Sequence, residues 1–419
     1  MTRRRVGLWV VLAGVLAFSP VLPAAPLAPI EVTNGKSADG GNEVRVVVPG
    51  RIKIVVCDGS TMKGAPEDTG VTGVYDLEND PAEKYNYAAP WSGFFSHKLS
   101  VDPRRDGQTG AFMPGPGPVE VLEANPLRAV VKYSWGASAY GGAHAPMNPD
   151  VRFEQVFTVR APDRLYQSFS IIGTGEEVKL THATFLLHTS HAKWSGGTSG
   201  KGGVFSLPAP WTFVPEPSPN PCSILHVAKP EPFAHADGTT SIQKANFLLV
   251  LHEAKGARYG YRANLWVGYR TSLTLHPEDP VITKGKRLTW HAVVVMNHEV
   301  TDLDKAKPFV EEYRNPGTPE CAKGSVVGDG FDEATGCYTL KSDGTGVDFT
   351  FPVSCHWPMF EISGWRGGKP PFISAGGARK DAADGDYAAH AAGGTLLVQI
   401  ASEVPVGTRI VIPDVLRTR

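Results

Sequence analysis

The run Leu187-His-Thr-Ser-His-Ala-Lys-Trp194 carries two histidines, His188 and His191, where an alternating segment gives way to Gly-rich sequence. Imidazole titrates near neutrality, so either could take a proton from a carbon beside a carboxylate or give one to a leaving group. His182 precedes on the same alternation as His188. Two histidines three apart could also hold a metal, but no third ligand is evident in sequence, and no metal or other cofactor is expected. The plainer reading is a pair of half-exposed histidines bonded to loop backbone. Arg152 and Glu154 form a second set. Two apart on a strand, they share a face. A guanidinium could neutralise a uronate carboxylate and so acidify the neighbouring proton, as β-elimination requires. Glu154 could act as acid or base in hydrolysis. The plainer reading here is an ordinary charged sheet face. A third set is flat: Trp91, Trp135, Tyr140 and Trp194 fall in or beside loops, where aromatic faces stack on the C–H faces of sugar rings or simply pack the loop. His97 in Phe94-Phe-Ser-His-Lys98 and His144 in Gly141-Gly-Ala-His144 are weaker candidates. His252, His291 and His356 read as structural.

These residues need a scaffold, and its pattern is period two. Leu127, Ala129, Val131, Tyr133 and Trp135 share one alternation, with Arg128, Lys132 and Ser134 on the other. Phe153, Phe157 and Val159 oppose Arg152, Glu154, Thr158 and Arg160. After a Pro-Asp turn, Leu165, Phe169 and Ile171 oppose Tyr166, Ser168 and Ser170. Such alternation between turn signals predicts antiparallel strands with one covered and one wet face. Strands are also predicted at Asn42–Val56 (broken at Pro49-Gly50), Val71–Asp80, Glu177–His188, Ala245–His252, Tyr261–Thr274 and Arg287–Met296. The 102–118 and 194–221 stretches, rich in Gly and Pro, read as loops. A helix is predicted over Asp302–Tyr313 from the spacing of Leu303, Ala306, Phe309, Val310 and Tyr313; Pro308 argues for a late start or a kink. A boundary is expected between Asn315 and Gly330, followed by short strands at Gly336–Leu340, Val347–Pro352, Met359–Gly364, Thr395–Ile400 and Thr408–Ile412.

Two of these stretches resemble the galactose-mutarotase-like supersandwich, a β fold shared by sugar epimerases, some glycoside hydrolases and the β domains of many polysaccharide lyases. They are Val119–Val131, with Glu123-Ala-Asn-Pro-Leu-Arg128, and Val151–Ile172 with its Pro-Asp turn; Val74-Tyr-Asp-Leu-Glu-Asn-Asp-Pro81 fits an earlier hairpin of the same sheet. The resemblance spans roughly residues 42 to 315. It implies a fold rather than a reaction. The His and Glu pattern of the epimerases has no counterpart here, which points away from simple mutarotase activity.

Bulk properties narrow the partners. The formal net charge of -1 over 419 residues gives no support for nucleic acid or an anionic membrane surface. Arg3, Arg4 and Arg5, an apolar run from Val6 to Phe18 and small residues ending near Ala25 read as an export signal, so residues 1–25 are expected to be removed and the mature chain to carry no membrane span. Export permits disulfides, and the five cysteines suggest a bridge between two of Cys321, Cys337 and Cys355. The expected fold class is all-β: a large antiparallel supersandwich over 42–315, then a small C-terminal β domain over 325–419. The expected function is that of a secreted or periplasmic protein that cleaves a uronate-containing polysaccharide or oligosaccharide by β-elimination. His188 or His191 would be the base, Arg152 the neutraliser, and the aromatics and His97 would hold the sugar. The alternative is a carbohydrate-binding or cell-surface protein that does no chemistry.

Overall fold

The computed structural model describes residues 27–37, 40–59, 69–84, 86–88, 95–102, 111–113, 116–139, 148–189, 196–199, 204–206, 212–214, 222–226, 231–234, 240–243, 247–252, 257–264, 269–296, 300 and 303–414. Strand dominates, as the alternation predicts. β1 (Glu31–Lys36), β2 (Asn42–Val48), β3 (Ile52–Asp58) and β4 (Thr69–Asp76) form a four-stranded antiparallel sheet in chain order. The β2–β3 turn closes at Pro49-Gly50, where Gly50 takes a φ of 67°, a conformation glycine adopts without steric cost.

A sixteen-stranded sheet carries most of the other strands before residue 300, while, among the described residues, Glu231–Ala234 and Thr240–Gln243 pair with each other alone. Its strands include β5 (Phe95–Asp102), β6 (Ala111–Met113), β7 (Val119–Ala124), β8 (Arg128–Ala139), β9 (Asn148–Arg160), β10 (Arg164–Gly173) and β11 (Val178–Thr189). The order across its middle is Phe247–Leu251, Arg287–Met296, β10, β9, β8, β6, β5, β11, with every one of these pairings antiparallel. Gly-rich sequence read as loop contains the short strands Gly196–Ser199, Val204–Ser206 and Thr212–Val214, which corrects that expectation. The predicted strand over Tyr261–Thr274 is a hairpin of Ala257–Asn264 and Tyr269–Pro277.

The inner face of this sheet packs on the four-stranded sheet. Ala129, Val131, Tyr133, Trp135, Phe153, Phe157, Val159, Leu165, Phe169 and Ile171, the alternation read from sequence, meet Val46, Ile54, Val56 and Val74 in one core. The outer face is not uniformly wet. Helix α1 (Leu303–Arg314) covers one end of it, setting Ala306, Phe309, Val310 and Tyr313 on Leu248, Val250, Val293, Val295 and Tyr166. Burial of a Phe or Val of this kind contributes roughly 1.5–3 kcal/mol. The helix runs through Pro308, which gives up one backbone hydrogen bond on an exposed face.

Residues 320–413 form two five-stranded sheets and a two-stranded pair around a second core that includes Tyr338, Phe349, Phe360, Ile373, Val398 and Ile410. The strands Cys337–Lys341 and Met359–Ser363 pair in parallel, an exception to the antiparallel rule. The expected bridge within Cys321, Cys337 and Cys355 is not made: all three are thiols. Proximity in sequence misled, because Cys321 and Cys337 lie on different sheets and Cys355 belongs to the separate two-stranded pair. Polar contacts tie this unit to the large sheet. Arg160 Nη2 donates to the Trp357 carbonyl at 3.0 Å and Arg160 Nη1 to those of Thr335 and Gly336. Arg128 Nη1 bonds Glu361 at 2.6 Å, and Glu312 joins Arg164 at 3.1 Å to the His356 amide at 2.8 Å.

Candidate functional site

Arg152 and Glu154 lie on the outer face of β9, beyond the part that α1 covers. The ladder sets Glu154 opposite Ser170 of β10, and Ser170 opposite Thr289 of the strand Arg287–Met296. One row further, Arg152, Ile172 and Arg287 line up. The β9–β10 hairpin and one distant strand therefore place one carboxylate between two guanidiniums. Arg152 Nη2 donates to Glu154 Oε1, and Arg287 Nη2 donates to Glu154 Oε2 at 2.7 Å and to Ser170 Oγ at 3.0 Å. Ser170 Oγ and Thr289 Oγ1 share a hydrogen bond of 2.8 Å, and so do Ser168 Oγ and His291 Nδ1.

Exposure divides the roles. The Glu154 side chain is 10% exposed, whereas those of Arg152 and Arg287 are 51% and 49% exposed. Burial pushes the Glu154 carboxyl up, but hydrogen bonds from Arg152 and Arg287 outweigh it and hold the group below its ordinary value. A carboxyl held ionised in this way is a poor general acid near neutral pH. It serves better as the brace that fixes two cations side by side. Each guanidinium meets Glu154 through Nη2 and is half open to solvent. A guanidinium fork matches a carboxylate in shape and charge. Two cations against one anion leave the cluster net positive, so it can bind an anion and draw charge away from it.

Of the residues singled out in sequence, the structure brings Arg152 and Glu154 together. His188 and His97 are placed by backbone alone. His188 stands opposite Arg270 in the same large sheet, on β11, while His97 stands on β5 opposite Phe185. β11 is four strands from β9 in the hydrogen-bonded order, about 19 Å along the sheet at ~4.8 Å per strand. His191, Trp91, Tyr140, Trp194 and His144 lie outside the described residues. Trp135 requires correction. It is 3% exposed, stacked on Tyr133 at 4.6 Å and Phe153 at 5.5 Å inside the sandwich, so no sugar can reach it. Its alternation with Tyr133 and Val131 outweighs its nearness to a loop.

Arg287, Ser170 and Thr289 were missed by sequence reasoning. Arg287-Leu-Thr-Trp-His291 repeats the polar-apolar alternation of Arg152-Phe-Glu154, which is a signal of sorts. Glu154 and Arg287 are 133 residues apart, however, and only strand order makes them neighbours. His356 is structural, as read, bonding Glu312 at 2.9 Å and stacking on Phe309, whereas His291, expected as a core histidine, is half-buried on the outer face and bonds Ser168. Among the described residues no group of three His, Cys, Asp or Glu side chains could hold a metal ion, and no helix is long and apolar enough to cross a membrane.

No family model matches the chain, and no curated protein matches it. Solved structures do. A galactose 1-epimerase from Lactobacillus acidophilus NCFM is 6% identical with a TM-score of 0.31, over 64% of this chain and 99% of that one. A heparan sulfate lyase from Pedobacter heparinus is 10% identical with a TM-score of 0.28, over 79% of this chain and 41% of that one. A 4-alpha-glucanotransferase from Thermococcus litoralis is 10% identical with a TM-score of 0.33, over 64% of this chain and 40% of that one. The chain thus spans well under half the length of the lyase and the transferase. The solved structures it is similar to include sugar epimerases and polysaccharide lyases, with superposition this partial assigning no residue a role.

Proposed function

We propose that this is an exported, carbohydrate-active protein whose Arg152–Glu154–Arg287 face binds a uronate-containing glycan and promotes its cleavage by β-elimination. One observation carries the reading: two half-exposed guanidiniums are braced side by side by a buried, ionised carboxylate. A uronate carboxylate seated on them would lose part of its charge, which makes the proton on the adjacent ring carbon easier to remove. In the step itself a base takes that proton. The C–H electrons form the new ring double bond, and the bond to the neighbouring glycosidic oxygen breaks. That oxygen leaves with a proton from solvent or an acid. Of the two histidines expected to act as base, His191 is the one proposed here, because His188 stands four strands from β9, about 19 Å along the sheet at ~4.8 Å per strand and too far for proton transfer. The export signal at Arg3–Phe18 would bring such a protein to the cell envelope or beyond, where acidic polysaccharides are met.

The reading that the face binds without cleaving has its own support. Glu154 is committed to its two arginines, so the carboxylate beside the cations is not free to act as the base. One assay separates the two. The chain is incubated with a panel of acidic polysaccharides while ultraviolet absorbance follows the unsaturated product. Absorbance that rises with wild type and falls at least tenfold in rate with Arg287→Ala supports elimination. Binding of the same polysaccharides with no rise in absorbance supports the binding surface. Absence of both sinks the acidic-glycan reading.

A further inference from the structure

We propose that a second saccharide site, selective for an uncharged sugar unit, lies in the cleft between the β2–β3 turn, the β9–β10 turn and Trp357. The inference rests on the carbohydrate reading above and concerns a different place. Ala161 and Pro162 of the cleft follow Arg152 by nine and ten residues along β9 and its turn, roughly 30 Å away at ~3.4 Å per residue. The cleft encloses about 290 Å³. That is the small end of the range for ligand pockets, room for a single ring rather than a chain.

Its walls have the two chemistries a pyranose needs. Val48, Pro49, Ala161 and Pro162 are apolar, and Trp357 supplies the large flat side chain on which the C–H face of a sugar can stack. Arg51 and Glu78 stand at the same cleft as an ion pair of 2.8 Å, with side chains 37% and 41% exposed. Together they offer donors and acceptors to ring hydroxyls. The pair is neutral as a unit, and the charges behind it balance, Arg164 and the buried Arg160, which is committed to backbone carbonyls, against Asp163 and Glu312. The cleft therefore has no cation to spare for a carboxylate, in contrast to the Arg152–Arg287 face.

The backbone of Trp357 supports a functional reason for the residue. Its φ is 58°, a conformation bulky residues rarely adopt. It is held there by Arg160 on its carbonyl at 3.0 Å and by its own amide on the Ser402 carbonyl at 3.2 Å. Strained residues of this kind persist where the surroundings over-determine them, and they cluster at ligand sites. A glycine would sit at this φ without strain, so Trp at 357 is a side-chain choice made against backbone preference.

The test uses the full chain and calorimetric titration with neutral tetrasaccharides of the cello-, manno-, xylo-, malto- and galacto- series, with acidic oligosaccharides in parallel. At least one neutral series is expected to bind. Trp357→Gly, which removes the ring and relaxes the backbone, should weaken that binding at least tenfold while leaving acidic binding within twofold. Glu78→Ala, a substitution at a half-exposed position, should weaken neutral binding at least threefold and decides the matter if Trp357→Gly does not fold. Neutral binding that survives Glu78→Ala overturns the assignment. So does wild type that binds acidic saccharides and no neutral ones, and in that case the reading of the Arg152–Arg287 face still stands. If nothing in either set binds, the carbohydrate reading falls and takes this site with it.

Discussion

Glu154 shows how one residue's neighbours decide its use. Its type and its spacing from Arg152 suggest acid–base work, yet the second guanidinium, from Arg287, turns it into a brace. Half of that site was legible in sequence. Period two puts Arg152 and Glu154 on one face, but the partner across β10 depends on a strand order that no local pattern encodes. Two outcomes follow for these side chains. Arg152→Ala and Arg287→Ala should each weaken binding of an acidic oligosaccharide about tenfold or more, since a charge-assisted hydrogen bond contributes ~1.5–3 kcal/mol; isothermal titration measures this. Glu154→Gln should lower stability by about 1 kcal/mol at neutral pH, a modest figure because both arginines are half in water. The folded-state pKa of Glu154 lies below its ordinary 4.5, so its contribution is fully present above that value and is lost as pH falls through the lower, folded value. Denaturation midpoints of wild type and Glu154→Gln should therefore differ at pH 7 and converge in acid. A constant difference down to the acid limit would contradict the brace.

The elements vary in how plainly the sequence announces them. β8, β9 and β10 do so because a buried face forces strict alternation, and Arg287–Met296 matches the expected bounds to the residue. Gly196–Ser199, Val204–Ser206 and Thr212–Val214 do not, because three or four residues among Gly and Pro cannot show a period. What alternation could not reveal is that the second face of β9 and β10 is shared. Thr158, Arg160, Arg164 and Tyr166 are buried there, while Arg152 stays open. α1 and the C-terminal residues Thr335, Gly336 and Trp357 draw that line together, and the fit of α1 can be tested. Phe309→Ala should cost about 3–5 kcal/mol, the usual range for a buried aromatic, and more than its hydrophobic part alone because Arg164 and His356 also lie on the ring. Pro308→Ala should act the other way. It restores a backbone donor on an exposed face, and we expect a gain of about 1 kcal/mol or more in urea denaturation.

At the scale of the molecule the seam between the large sheet and residues 320–413 governs behaviour. The Pro-Gly break near Gly317 predicts a boundary there, and a C-terminal domain bounded in that way could unfold on its own. The contacts across the seam argue for joint unfolding. Leu127 packs with Cys337, Met359 and Leu397, and the buried Arg160 is shared among the carbonyls of Thr335, Gly336 and Trp357. Parting the two would leave a guanidinium and three carbonyls to find water, and truncating Arg160 alone would take its donor from the buried Gly336 carbonyl. We expect Arg160→Ala to cost about 3 kcal/mol or more. We also expect tryptophan fluorescence and circular dichroism to report one coincident transition in wild type. Two resolved transitions would restore the separable picture.

β1 has a consequence of another kind. Among the described residues it closes one end of the four-stranded sheet, and much of its length, Glu31, Thr33, Asn34 and Lys36, is exposed. A terminal strand offers a row of backbone donors and acceptors to any strand of a neighbouring molecule, and charge at its two ends discourages that addition. Glu31 and Lys36 stand at those ends. They act as gatekeepers for a chain that makes almost everything else from strand. Replacing both with valine should leave the fold intact and convert a monodisperse solution into one that scatters light and binds amyloid dyes.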